Sequence, residues 1–130
     1  MMESSTDNTL ERLGVLLGIP DLGGEDWDLV FADPDRVVEF CDSYETGLFS
    51  ANDKAAIMQL IVASYDQHLR GASPHDELDA RIYRFLKQDF ELHQHTIEYW
   101  SKLKSHKPEV LWKVSPLMRR ILNERNSGEA

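Results

Sequence analysis

Histidines, a single cysteine and clustered carboxylates are the first places to look for chemistry in this sequence. Glu91, His93, His95 and Glu98 fall within eight residues of one another. Metal ligands on one helix face must lie three or four residues apart. His93 and His95 are two apart, so on a helix they diverge by about 200°. The chain contains neither His-Glu-x-x-His nor a paired Glu-x-x-His, so zinc-protease and di-iron sites lack their ligand sets. His95 is expected at the surface, and His93 as a partly buried hydrogen-bonding residue beside Leu92 and Trp100. Cys41 is the only cysteine, which excludes an intramolecular disulfide framework and a cysteine-rich zinc site. Its neighbours Glu39, Asp42 and Glu45 disfavour a thiolate, and a buried structural role is expected. Gly-x-Ser-x-Gly, a phosphate loop and a dinucleotide fingerprint are all missing. Gly23-Gly24 reads as a loop. No catalytic residue, metal or cofactor is expected.

The carboxylates are more informative. Residues 1–66 hold fourteen Asp/Glu against Arg12, Arg36 and Lys54, whereas residues 67–130 hold nine acids and eleven bases. The acids are densest from Asp21 to Glu45, where Arg36 is the only base. Charge asymmetry of this kind bears on fields and partners, not on fold. On a helix over 34–46, Val37, Phe40, Cys41 and Tyr44 share one face at i, i+3, i+4 and i+7. Asp35, Glu39 and Asp42 fall opposite, flanked by Val38 and Glu45. Like charges at this spacing repel by a few tenths of a kcal/mol per pair, a cost that a cationic partner would relieve. Asp26, Asp28 and Asp33 extend the patch upstream, and Trp27 offers an aromatic anchor of the kind that dominates interfaces. The partner-binding surface expected from sequence is therefore Asp26, Trp27, Asp28, Asp33, Asp35, Glu39, Asp42 and Glu45.

These side chains must be positioned by helices. Asp7 as N-cap, Leu10, Leu13 and Leu17 at helical spacing and a stop at Gly18 predict a helix over 8–17. Trp27, Leu29 and Phe31 alternate and fit either a short strand or a helical turn. Asp33 followed by Pro34 starts the helix that Gly47 ends. Ser50 opens a capping box with Asp53 and starts a helix to about Arg70, apolar on nearly every side from Ala55 to Val62 except at Gln59. Such a helix belongs at a core. Ser73 and Pro74 start another, with Leu78, Ile82, Phe85 and Leu86 as its stripe. Residues 90–103 form the next, after a break near Gln88 and Asp89. Ser115 as cap and Pro116 start the last, with Leu117, Met118, Ile121 and Leu122 inward. The expected fold is all-α: a single-domain bundle of five or six helices over 1–130, with 1–6 and 126–130 as disordered tails.

Apolar residues make up 42% of the 130 and charged residues 28%, the balance of a folded domain and not of a disordered chain. A formal net charge of −9 argues against nucleic acid and anionic lipid as partners, since both are bound through many cations. No apolar run reaches the roughly 18 residues of a membrane span, and the polar, acidic first residues do not make a signal peptide. A cytoplasmic location is expected.

The segments Asn52–Asp66, Asp89–Trp100 and Ser115–Leu122 together resemble small bacterial all-helical immunity proteins of contact-dependent growth inhibition and related polymorphic toxin systems. The resemblance implies a cytoplasmic, non-enzymatic protein that binds and neutralises a cognate toxin domain. It carries over no catalytic or contact residues. With the acidic surface it leads to a basic toxin domain, such as a nuclease, as the expected partner. The alternative is a small enzyme or ligand-binding domain with a site around Tyr65, Asp66, His93 and Tyr99.

Overall fold

A computed structural model of the chain describes residues 5–71, 76–101 and 112–127. Among them there are helices and no strand, as the period of 3.6 in the apolar residues requires. The helices are α1 (Ser5–Leu17), α2 (Trp27–Val30), α3 (Val37–Tyr44), α4 (Ala51–Gly71), α5 (Asp76–Gln88), α6 (Phe90–Ser101) and α7 (Ser115–Asn126), with a 3-10 turn at Pro34–Arg36. The fold is all-α. Six of these helices are eight residues or longer, and α2 settles the ambiguity at residues 27–31 in favour of helix. The chain divides into two compact units, one ending at Ser64 and one beginning at Tyr65, so the division falls within α4.

In the first unit α1 begins at Ser5, three residues before the expected start, so Asp7 lies inside the helix and residues 5 and 6 belong to it. Its end is a Schellman motif. The Ile19 N–H donates to the Gly14 carbonyl at 2.8 Å and the Gly18 N–H to the Val15 carbonyl at 3.3 Å. Gly18 takes φ +70° to close it. Gly14 is needed for a different reason: a Cβ there would stand 2.8 Å from the Ile19 carbonyl oxygen. Leu13 and Leu17 face the core, which also takes Val37, Phe40, Cys41 and Tyr44 from α3 and Ile57, Met58, Leu60 and Ile61 from α4.

The other two helix starts anticipated in this unit, at Asp33 and Ser50, are made by the expected side chains. The Asp33 carboxylate accepts from the Asp35 N–H at 3.0 Å, although the first turn is 3-10 and α3 proper starts at Val37. The Ser50 hydroxyl accepts from the Asp53 N–H at 3.2 Å.

In the second unit α5, α6 and α7 pack against one another. Leu78, Ile82, Phe85, Leu86, Ile97, Trp100, Met118, Ile121 and Leu122 are buried. Asp89 separates α5 from α6, its carbonyl accepting from the Leu92 and His93 N–H groups at 3.0 and 3.2 Å. The expected cap at Ser73–Pro74, the basic stretch 104–109 and the final residues 128–130 lie outside the described residues. The start of α7 corrects the sequence reading: Val114 is its N-cap and Ser115 its first residue. The Ser115 hydroxyl is wholly buried, accepts from the Trp112 N–H at 3.0 Å and donates to the Trp100 carbonyl at 2.7 Å. It joins two helices instead of capping one. Asn126, assigned from sequence to a tail, ends α7.

Candidate functional site

The residues 26–45 all belong to the first unit, but they divide into two groups. Asp26, Asp35, Asp42 and Glu45 are exposed on the 3-10 turn, the helices and their ends. Val38, half exposed, follows Asp35 by three residues and precedes Asp42 by four. Helical spacing therefore sets an exposed valine within a row of carboxylates.

The second group is engaged internally. The Asp33 backbone N–H donates to the buried Ser64 hydroxyl at 3.0 Å, while its carboxylate caps the 3-10 turn. Glu39 is exposed but paired. Its two oxygens accept from Arg36 at 2.9 and 2.6 Å, and the same guanidinium donates to the Leu17 carbonyl at 2.6 Å. The Arg36 hydrogen bonds hold the Glu39 carboxyl below its ordinary range. The row of acids is thus not uniform. Arg36, three residues before Glu39, neutralises it at the N-terminal end of α3, a pairing that the count of acids along the stripe overlooks.

Asp28 is half-buried and its carboxylate accepts from the Leu29 N–H at 3.1 Å. Burial pushes its carboxyl up, and the nearby Asp26 charge adds to the rise. Among the described residues no ion pair reaches Asp26 or Asp28. Asp53 shows the opposite outcome. Burial alone would push its carboxyl up, but the Arg12 guanidinium, at 2.8 Å, and the Ser50 cap more than offset this and hold it down.

Trp27 is half-buried and is not a freely projecting anchor. It lines a cavity of about 230 Å³ with Thr9 and Leu10 of α1 and Asn52, Ala55, Ala56 and Gln59 of α4. The four α4 residues stand at i, i+3, i+4 and i+7, one helix face with two alanines between two amides. Sequence reasoning missed this slot. The available signal was Gln59, the polar exception in an apolar stretch, together with the small residues beside it. A larger open groove of about 740 Å³ lies between α1 and the segment 18–24. Glu11 and Asp21 are the only ionisable side chains on its walls, which carry no hydroxyl, thiol, amine or imidazole.

The four residues of the alternative site line neither cavity. Tyr65, Asp66 and His93 are buried, His93 more completely than its sequence context implies, while Tyr99 is 47% exposed. Tyr65 donates to Asp79 at 2.8 Å. Asp66 accepts from the Val114 backbone N–H at 3.1 Å and pairs with Arg70 at 3.2 Å. It sets a negative charge at the start of α7, where the helix dipole favours one. Cys41 is wholly buried and His95 exposed. No group of three or more His, Cys, Asp or Glu stands close enough to hold a metal among the described residues. No helix among them is long and apolar enough to cross a membrane.

The chain matches no family model, no curated protein and no solved structure.

Proposed function

We propose that this is a non-enzymatic binding protein of the immunity or antitoxin type, acting in the cytoplasm on a cognate basic toxin domain such as a nuclease. The observation that carries the reading is the combination of exposed acid and exposed apolar surface in the first unit. Asp35, Asp42 and Glu45 surround Val38, and Val30 and Leu48 are 68% and 75% exposed. Carboxylates steer a basic partner into encounter and raise the association rate. Apolar side chains among them supply area whose desolvation slows dissociation. A nuclease fits as a partner because a groove that binds phosphate attracts carboxylate for the same reason.

The test is protection. The gene should neighbour one encoding a toxin domain, and cells expressing that domain should survive when the wild-type chain is co-expressed. The triple variant Asp35→Lys, Asp42→Lys, Glu45→Lys should fold but bind that domain with a slower association rate. The deficit should grow as salt is lowered, since exposed charges are screened beyond about 8–10 Å near physiological ionic strength. Glu39 is left in place so that the Arg36 pair stays intact. Lack of protection by the wild-type chain would sink the reading, and equal rates for the triple variant would remove the acidic surface from it.

A further inference from the structure

The slot beside Trp27 has a composition that the acidic surface alone does not explain. Ala55 and Ala56 line it, small residues that leave room on this face of α4. Asn52 and Gln59, seven residues apart, stand about 10 Å from each other along the helix axis, each with an amide carbonyl. At about 230 Å³ the slot is smaller than the roughly 300–1,000 Å³ of pockets that enclose drug-sized ligands, yet far larger than a single water requires. It is the size for one side chain.

We propose that this slot receives an arginine side chain of the basic partner, its guanidinium lying against the Trp27 indole and donating to the amide carbonyls of Asn52 or Gln59. The inference rests on the binding-protein reading for the source of the arginine.

Three observations choose the guanidinium over other occupants. Trp27 has carboxylates on either side in the chain, Asp26 and Asp28, and no described cation pairs with them. The half-buried Asp28 carboxyl, pushed up by burial and by Asp26, is a group whose charge a nearby cation would relieve. The slot's own polar groups are neutral: the Thr9 hydroxyl, which already accepts from Arg12 at 3.4 Å, and the Asn52 and Gln59 amides, whose carbonyls accept from a cation without being neutralised by it. Arginine fits better than lysine because its planar head both stacks on an indole and presents a fork of donors.

The experiment titrates N-acetyl-arginine methylamide into the isotope-labelled full chain and follows the Trp27 indole N–H resonance, assigned with Trp27→Phe. A saturable shift of that resonance is expected. The neutral citrulline analogue and the lysine analogue should bind at least about tenfold more weakly, the factor that one lost charged or stacked contact supports. Ala55→Leu, which fills the slot, should abolish the shift with the helical circular dichroism unchanged. Should that variant fail to fold, Gln59→Leu removes an acceptor at the slot's rim and should weaken binding several-fold. No saturable shift with the arginine probe, equal binding of citrulline, or equal binding by the slot variants would each overturn the proposal. The probe is independent of any toxin. Arginine binding without toxin protection therefore sinks only the proposed function, and protection without arginine binding sinks only the slot.

Discussion

The first unit, to Ser64, holds thirteen acids and three bases; the second, from Tyr65, holds ten acids and eleven bases. Their buried polar groups differ as much as their charge. In the second unit, side chains tie helices together from inside: Asp66 to the Val114 N–H, Ser115 to the Trp100 carbonyl, and Arg119 to the Ser101 carbonyl at 2.7 Å. Its surface charges also find one another, with Tyr83 and Lys87 both donating to Glu124. In the first unit the tertiary polar links lie nearer the surface, at Arg12–Asp53, Arg36–Leu17 and Asp33–Ser64. Among the described residues, five of the six strongly exposed large apolar side chains are there, from Val15 to Leu48. The second unit uses its polarity to fix its own helices, and the first turns polarity and apolar surface outward. A surface with both exposed acids and exposed valine and leucine is the one to search for a partner.

Four tests, using five substitutions, break or sharpen this contrast, in decreasing order of their largest expected effect. Ile61→Asp puts an unpaired charge into a wholly buried site and should cost more than about 4 kcal/mol, visible as lost helical circular dichroism. A loss under about 1 kcal/mol would mean that α4 does not hold the core. Next, the same truncation should read differently in the two units. Asp66→Ala should lose about 1–3 kcal/mol in urea unfolding, because it strips a hydrogen bond from the start of α7, whereas Asp42→Ala should stay within about 0.5 kcal/mol. Equal losses would end the contrast between inward and outward carboxylates.

Gly14→Ala tests the tight closure of α1. Its Cβ cannot stand at 2.8 Å from a carbonyl oxygen, so a loss of about 1–2 kcal/mol is expected where an ordinary helical Gly-to-Ala change would stabilise. The smallest effect is at Asp28. Burial raises its folded-state carboxyl, so the ionised group opposes folding at neutral pH, and that cost disappears as pH falls through the carboxylate range and the group is protonated in both states. Asp28→Asn should therefore stabilise by about 0.5 kcal/mol or less at pH 7, since the group is half exposed and screened, and by nothing in acid. Stabilisation that persists in acid would assign the effect to packing instead.

The toxin-partner reading and the arginine slot stand on different residues, and the protection assay and the arginine titration separate them.

Local chemistry made much of this protein legible in advance. Asp33 with Pro34, Ser50 with Asp53 and Gly18 after Leu17 act within four or five residues of chain, so their role follows from order alone. The stripes of α3 and α7 follow from a period of 3.6, and the exposure of Asp35 and Asp42 from their place opposite Val37 and Phe40. Distant partners decided the rest. Arg36 and Glu39, three apart, are a pair that spacing offers, but that the same guanidinium also holds the Leu17 carbonyl, nineteen residues away, depends on where α1 ends in space. Ser115 looks like a cap, but the buried Trp100 carbonyl, fifteen residues away, claims its hydroxyl. The slot at Trp27 needs three helices, α1, α2 and α4, to meet around two alanines. A cavity is what packing fails to fill, and only the tertiary arrangement determines where that occurs.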